Sequence, residues 1–417
     1  MPNESAPQRI LLLSRKPLIE RPLHEWLAEV VTDTVLVTVP GALADIGADV
    51  RDRFRDCRTV SDYQSWSTEW TAECAAREHR IGLVASSSED DVLRSARLRG
   101  RLGLPGQTLE SAHAYRDKLI MKDTAARAGV AVPLRRAIDR PTDLIEFVEE
   151  AGLPVVVKPR RGSASIGVRI LRDGRDVTAF LASGELPAAP QHCGRWIAEE
   201  YVDGDFFHVD GIIADGAVVH CWPSQYSSGN AEAAQAESEL SSVLLAPDDP
   251  RTVLLQSFAA DVHRALPSPA FPTSFHLEAW IPAHGKPVLC EVASRTGGAL
   301  IARIYREAFG VHLSRENLRG QCGLGLELTQ QPAAPRRAGG WVLFPPGHGR
   351  FQPAPGACPV AGTEVELHMP AGTFAHGPEY AAHSAAAVAV HADTAEQVRE
   401  RIRETTRWWA EGVRWLN

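Results

Sequence analysis

Apolar residues fall along this chain in short blocks, and the spacing within and between the blocks predicts its elements. Val155-Val156-Val157, set off by Gly152 and Pro154, reads as a covered strand, because β-branched side chains fit a pleated, buried surface. Lys158 closes that block, small residues occupy 162 to 167, and Val168, Ile170 and Leu171 resume an extended pattern. The predicted order is strand, lysine, pliable loop, strand. A Walker or Rossmann loop would instead pass from strand to helix.

The runs 9–13, 34–39 and 81–86 are apolar and separated by stretches of helical character, which predicts a small α/β unit with a largely parallel sheet. Residues 89–102 carry Val92, Leu93, Ala96 and Leu98 as an approximate helical stripe ended by Gly103 and Pro105. A second helix opens at Asp117 and runs through Ala128 to Gly129, and others are predicted over 142–151, 251–265 and 300–326. Two strands flank the turn Ala214-Asp215-Gly216, and segments 274–281 and 287–294 read as an antiparallel pair around residues 282–286. Residues 183–195 read as a polar loop, 222–247 as a long excursion that is either a lid or a surface loop, and Gln331 to Pro335 as a linker. Trp408, Trp409 and Trp415 belong to a last helix as docking aromatics, since no basic stripe accompanies them.

Composition narrows the class. The 417 residues are enough for about two to four compact units, and 44% hydrophobic with 23% charged residues is ordinary for a globular chain. A net charge of -8 argues against a nucleic-acid partner held by phosphate neutralisation. No apolar run approaches the roughly 18 residues a membrane span needs, and the N-terminal apolar core is too short for a signal peptide, so a cytoplasmic location is expected. The seven cysteines are odd in number and form no CxxC pair, as reduced thiols would.

Three stretches carry candidate chemistry. Lys158 is costly to bury without an anion, and the backbone N–H groups of the loop holding Gly162, Ser163, Ser165 and Gly167 can approach phosphate oxygens closely. If the hairpin turn centres between His284 and Gly285, Glu278 faces Glu291 across two strands. Like charges so placed repel, and a divalent cation between them, Mg²⁺ or alternatively Mn²⁺, removes the repulsion. Beyond that pair, Arg295 can grip a carboxylate or acyl phosphate, and Gly297 and Gly298 leave backbone N–H groups free for a developing oxyanion.

The order of these motifs, with Asp117-Lys118-Leu119 upstream and Glu199-Glu200-Tyr201-Val202-Asp203-Gly204 downstream, resembles the ATP-grasp superfamily and within it the carboxylate-amine ligases, L-amino-acid ligases included. The resemblance implies an α/β fold with α+β lobes: a Rossmann-like unit over 1–110, a flap-bearing lobe over 111–197, a metal-binding lobe over 198–328, and an α/β subdomain over 329–417. It implies that Lys118 joins Lys158 on the phosphates of ATP, and that the segment from Glu199 through Glu200 and Tyr201 to Val202 is the hinge reading adenine with a side-chain carboxylate and backbone groups. Phe206 stands where many family members carry the ribose-binding acid, so Asp205, His208 or Asp210 must take over that contact. Ala293 stands where many have a third metal ligand, and none is assigned. The implied reaction joins an amino acid carboxylate to a small amine through an acyl phosphate, with small-molecule partners and dimers common among relatives. A carrier-protein thiol or another acceptor, and a regulator that binds ATP without catalysis, are the rival readings.

Overall fold

The computed structural model of the chain describes residues 8–185, 195–230, 232, 237–327 and 332–416. Its first unit is a parallel sheet of four strands, β1 (Ile10–Leu13), β2 (Thr34–Thr38), β3 (Asp56–Thr59) and β4 (Leu83–Ser86), in the order β3-β2-β1-β4. β1, β2 and β4 fall on the three apolar runs, and every one of their positions is buried because both faces are covered. β3 reads DCRT and carries no such run; half-open at the sheet edge, it needs none. Strand order reverses between β1 and β4, which leaves a crevice beyond their carboxyl ends. The helix Asp91–Leu102 follows β4 and stops at Gly103, whose φ of 66° suits glycine.

The second unit is an antiparallel sheet of β5 (Arg135–Ile138), β6 (Val155–Pro159), β7 (Arg169–Leu171) and β8 (Trp196–Glu200), in the order β5-β8-β6-β7. Leu144 and Phe147 of the helix Pro141–Ala151 and Phe180 of the helix Gly174–Ala182 cover it, packing on Val155 and Val157. The loop joining β6 to β7 is the glycine-serine stretch. Ala164 and Ser165 hold φ values of 53° and 57° there, so the loop has a defined bend and is more than a slack turn.

The remainder forms one eight-stranded sheet. β9 (Asp205–Ala214), β10 (Ala217–Tyr226), β11 (Leu240–Leu244), β12 (Thr273–Ile281), β13 (Val288–Ala293), β14 (Ala338–Phe344), β16 (Thr363–Leu367) and β18 (Ala386–Ala392) lie in the order β13-β12-β9-β10-β11-β14-β18-β16. β15 (His348–Gln352), β17 (Phe374–His376) and β19 (Arg414–Leu416) make a small sheet beside it. The boundary expected near residue 328 is therefore no break in the sheet: β14 pairs directly with β11, Leu343 opposite Leu240, and Trp341 and Leu343 share a core with Leu240 and Leu244.

Two further expectations are corrected. Both ends of 222–247 are strand, 222–226 as the end of β10 and 240–244 as β11, where Leu240, Val243 and Leu244 bury their side chains; the excursion shrinks to residues 227–239, of which 231 and 233–236 lie outside the described residues. Trp415 sits in β19 and not in the last helix, which ends at Gly412; it packs on Phe351 while Trp409 stacks on Phe344, so the aromatics do dock. The polar loop 183–195 falls largely outside the described residues, as does Gln331. Among the described residues no helix is long and apolar enough to cross a membrane.

Candidate active site

The hairpin β12–β13 has the register its spacing implies. Glu278 pairs with Glu291, Leu277 with Val292 and His276 with Ala293; a bulge beyond Glu278 shifts the pairing so that Ala279 meets Leu289. Both glutamates line a cavity of about 380 Å³ enclosed by the two lobes, the flap and the first unit. Tyr226 and Asn230 donate to Glu278 Oε1 at 3.2 and 2.7 Å, and Lys118 Nζ lies 2.8 Å from Glu291 Oε2. Burial opposes the charge on Glu291, but Lys118 and then Lys158 outweigh it and hold its pKa far below the usual carboxylate range.

This donor set fits Mg²⁺. Two facing carboxylates supply hard oxygens, and the Asn230 Oδ1 atom above them is buried with no hydrogen-bond partner, as a group awaiting a ligand or its water would be. Lys118 and Lys158 both reach this cavity. Lys118 is the first residue of the helix Lys118–Arg127, where its side chain also donates to the Gly162 carbonyl at 2.9 Å. Asp117 caps that helix and holds Arg160 and Arg161 at the root of the flap, 2.9 and 3.3 Å away. Gly162, Ser163 and Ser165 line the cavity; Gly167 lies against Pro159 and turns the chain with φ 73°.

At the hinge the geometry corrects one role. Glu199, 1% exposed, is the counter-ion of two buried lysines, Lys122 at 2.6 Å and Lys158 at 2.8 Å. Glu200 is engaged as well, accepting from the Leu134 N–H at 3.0 Å. Both residues line the cavity together with Tyr201 and Val202; Glu199 is taken up by its two lysines, whereas Glu200 keeps its Oε2 beyond the contact with Leu134. Burial pushes the Lys122 pKa down, despite Glu199, to about 8, whereas the same carboxylate outweighs burial at Lys158 and raises that one. Phe206, in the position expected to contact ribose, joins Tyr226 and Trp280 in an aromatic wall of the cavity, with ring centroids 5.2 and 5.4 Å from its own.

None of the three residues expected at the ribose lines the cavity. Asp205 is exposed and reaches Arg251 at 3.5 Å. His208 and Asp210 are buried in a group with His276, in which one imidazole hydrogen-bonds to each Asp210 oxygen; His276 itself lines the cavity, its Nε2 3.5 Å from Glu278 Oε1. Burial disfavours a charged His276, but Asp210 more than compensates, and its pKa is pushed up to about 10. Gly297 packs on this group: a Cβ there would stand 2.7 Å from Asp210 Oδ1 and 2.9 Å from His276 Nδ1, whereas one at Gly298 would meet nothing within 4 Å.

Arg295 lines the cavity and is bound to Glu89 of the first unit, Nε at 2.8 Å and Nη2 at 2.7 Å, while Nη1 donates to the Thr296 carbonyl. These contacts leave further guanidinium N–H groups over. Sequence reasoning missed Lys122, Glu89, Asn230 and His276. Lys122 and His276 had weak signals, one helical turn beyond Lys118 and one strand period before Glu278; Glu89 and Asn230 had none, because they sit on segments far apart in the chain that the fold brings here.

No family model matches the chain. It is 26% identical to the L-arginine-specific L-amino acid ligase of Bacillus subtilis over 253 residues, 60% of each protein, and 29% identical to the alanine–anticapsin ligase of Bacillus subtilis (strain 168) over 152 residues, 32% of each. The chain thus matches less than two thirds of the length of either relative. In three dimensions it is similar to the crystal structure of an L-amino acid ligase from Bacillus licheniformis, with a TM-score of 0.76 at 16% identity over 99% of this chain and 100% of that one. The biotin carboxylase domain of the Hydrogenobacter thermophilus 2-oxoglutarate carboxylase, solved with MgADP and bicarbonate, gives a TM-score of 0.70 at 16% identity over 97% of this chain and 90% of that one. The fold is ATP-grasp.

Proposed function

We propose that this ATP-grasp chain is an ATP- and Mg²⁺-dependent ligase that joins the carboxylate of one amino acid to the amine of another through an acyl phosphate. The observation that supports it best is one cavity in which two facing glutamates, two lysines and a glycine-serine flap surround the space a triphosphate would take. Lys118, Lys158 and the flap N–H groups hold and shield the phosphates; the aromatic wall with Tyr201 and Val202 takes the base; Glu232, which lines the cavity and hydrogen-bonds Tyr201, meets the ribose. When bound at Glu278 and Glu291, Mg²⁺ supplies charge neutralisation at the outer phosphates. Arg295 holds the carboxylate with the N–H groups Glu89 leaves over, and steadies it as the negative charge spreads. The amine then displaces phosphate from the acyl group, releasing the products without a covalent enzyme intermediate. The reading carries small-molecule partners, a cytoplasmic setting and no nucleic acid, in keeping with the net charge of -8.

The test is phosphate release from ATP with pooled amino acids, with products followed by mass spectrometry. Wild-type protein yields a condensed product and ADP in equal amounts, and Glu291→Gln, folded by circular dichroism, yields neither. Full turnover by that variant refutes the assignment.

A further inference from the structure

The crevice beyond the carboxyl ends of β1 and β4 opens into the same cavity, and the chemistry above uses little of it. Arg15 and Arg21 come to it from the segment after β1, and Ser87 to Asp90 from the segment after β4. A crevice where strand order reverses is where α/β sheets take ligands. Its charges are unevenly matched. Arg15 pairs with Asp90 at 2.7 Å, and Arg295 and Arg116 share Glu89. Arg21 differs. Half-buried and lining the cavity, it donates Nη1 to the Ser87 carbonyl at 2.9 Å, and among the described residues no carboxylate lies within ion-pair distance of it. Burial lowers its pKa, Glu20 resists the change, and the nearby Arg295 adds to it, as befits a cation partly withdrawn from water beside another. Such a group is stabilised when an anion reaches it, and a guanidinium fork matches a carboxylate with two parallel hydrogen bonds.

We infer that Arg21 is a specificity-determining residue that holds a substrate carboxylate other than the one being phosphorylated. The inference rests on the ligase reading for which molecules enter the cavity. The carboxylate that reacts belongs beside Arg295 and the paired glutamates. An acceptor amino acid brings a second, unreactive carboxylate that the peptide product keeps, and a dicarboxylic donor would also bring one. A plain amine or an amino acid amide brings none and leaves Arg21 unpaired, so the site discriminates against it.

The experiment compares wild-type protein with Arg21→Met and Arg21→Lys, each checked for an unchanged melting temperature. Calorimetry on protein loaded with Mg²⁺ and a non-hydrolysable ATP analogue gives affinities for free L-amino acids and for their C-terminal amides, and product formation is measured in parallel with ATP. Arg21→Met is expected to weaken binding of the free amino acids about ten- to hundredfold, to leave the amides unchanged, and to raise the acceptor KM while the ATP KM holds; Arg21→Lys recovers part of the loss. A loss confined to acidic donors places the held carboxylate on the donor. Equal affinities in wild type and Arg21→Met for every ligand overturn the inference while leaving the ligase intact. Selective loss of binding with no product from any pair keeps the carboxylate site and overturns the ligase.

Discussion

Glu199 shows how much a single buried charge can hold together. Its carboxylate is the shared counter-ion of Lys122 and Lys158, so Glu199→Gln strands two ammonium groups in the interior. Breaking such a group from one side costs about 3–5 kcal/mol, and the denaturant midpoint of Glu199→Gln is expected to fall accordingly with no change in slope. His276 permits a test by pH. Its folded pKa of about 10 stands above the ordinary 6.5, so the folded state binds the extra proton. The stability it contributes is therefore complete below pH 6.5 and fades as pH rises toward 10. In His276→Gln, unfolding measured across that range is expected to lack this decline. Neither residue announced its place in the sequence: Glu199 has the company of acids at a strand end, and His276 a slot in an alternating pattern, and only the packing of distant strands tells a counter-ion from a surface acid.

Elements were more legible where a local rule decides them. Glu278 faces Glu291 as the turn position and the two-residue period of strands suggested, but Ala279 with Leu289 and Trp280 with Val288, nearer the turn, are in a register one residue shorter, and the bulge between turn and pair brings the two glutamates opposite. The helix at Lys118 followed from its flanking aspartate and glycine. The ribose contact was illegible, since which face of β9 looks into the cavity depends on β10 and β12 on either side. The same aspartate that starts the helix also anchors Arg160 and Arg161, which couples the helix to the flap. Asp117→Asn retains an N-cap and loses the charge, whereas Asp117→Ala loses both. The Ala variant is expected to be about 1 kcal/mol less stable than the Asn variant by chemical denaturation, with the ATP KM raised alike in the two.

At the scale of the whole molecule, one sheet runs from the hairpin bearing Glu291 to β16, so the C-terminal strands complete the lobe that holds the site. A sheet of that length ends somewhere. On the hairpin side the helix Lys118–Arg127 covers β13, with the Val292 N–H meeting Met121. On the other, β16 ends the array, with Glu364 exposed, Glu366 half-buried, and both carboxylates engaged by Arg303. Acids along an open strand repel the same strand of another molecule. Replacing both by valine is expected to let β16 of one copy zip onto β16 of the next, and light scattering at rising concentration would follow the growth. Those two acids thus act as a stop at the end of the ladder, keeping a continuous sheet from becoming the seed of a fibre.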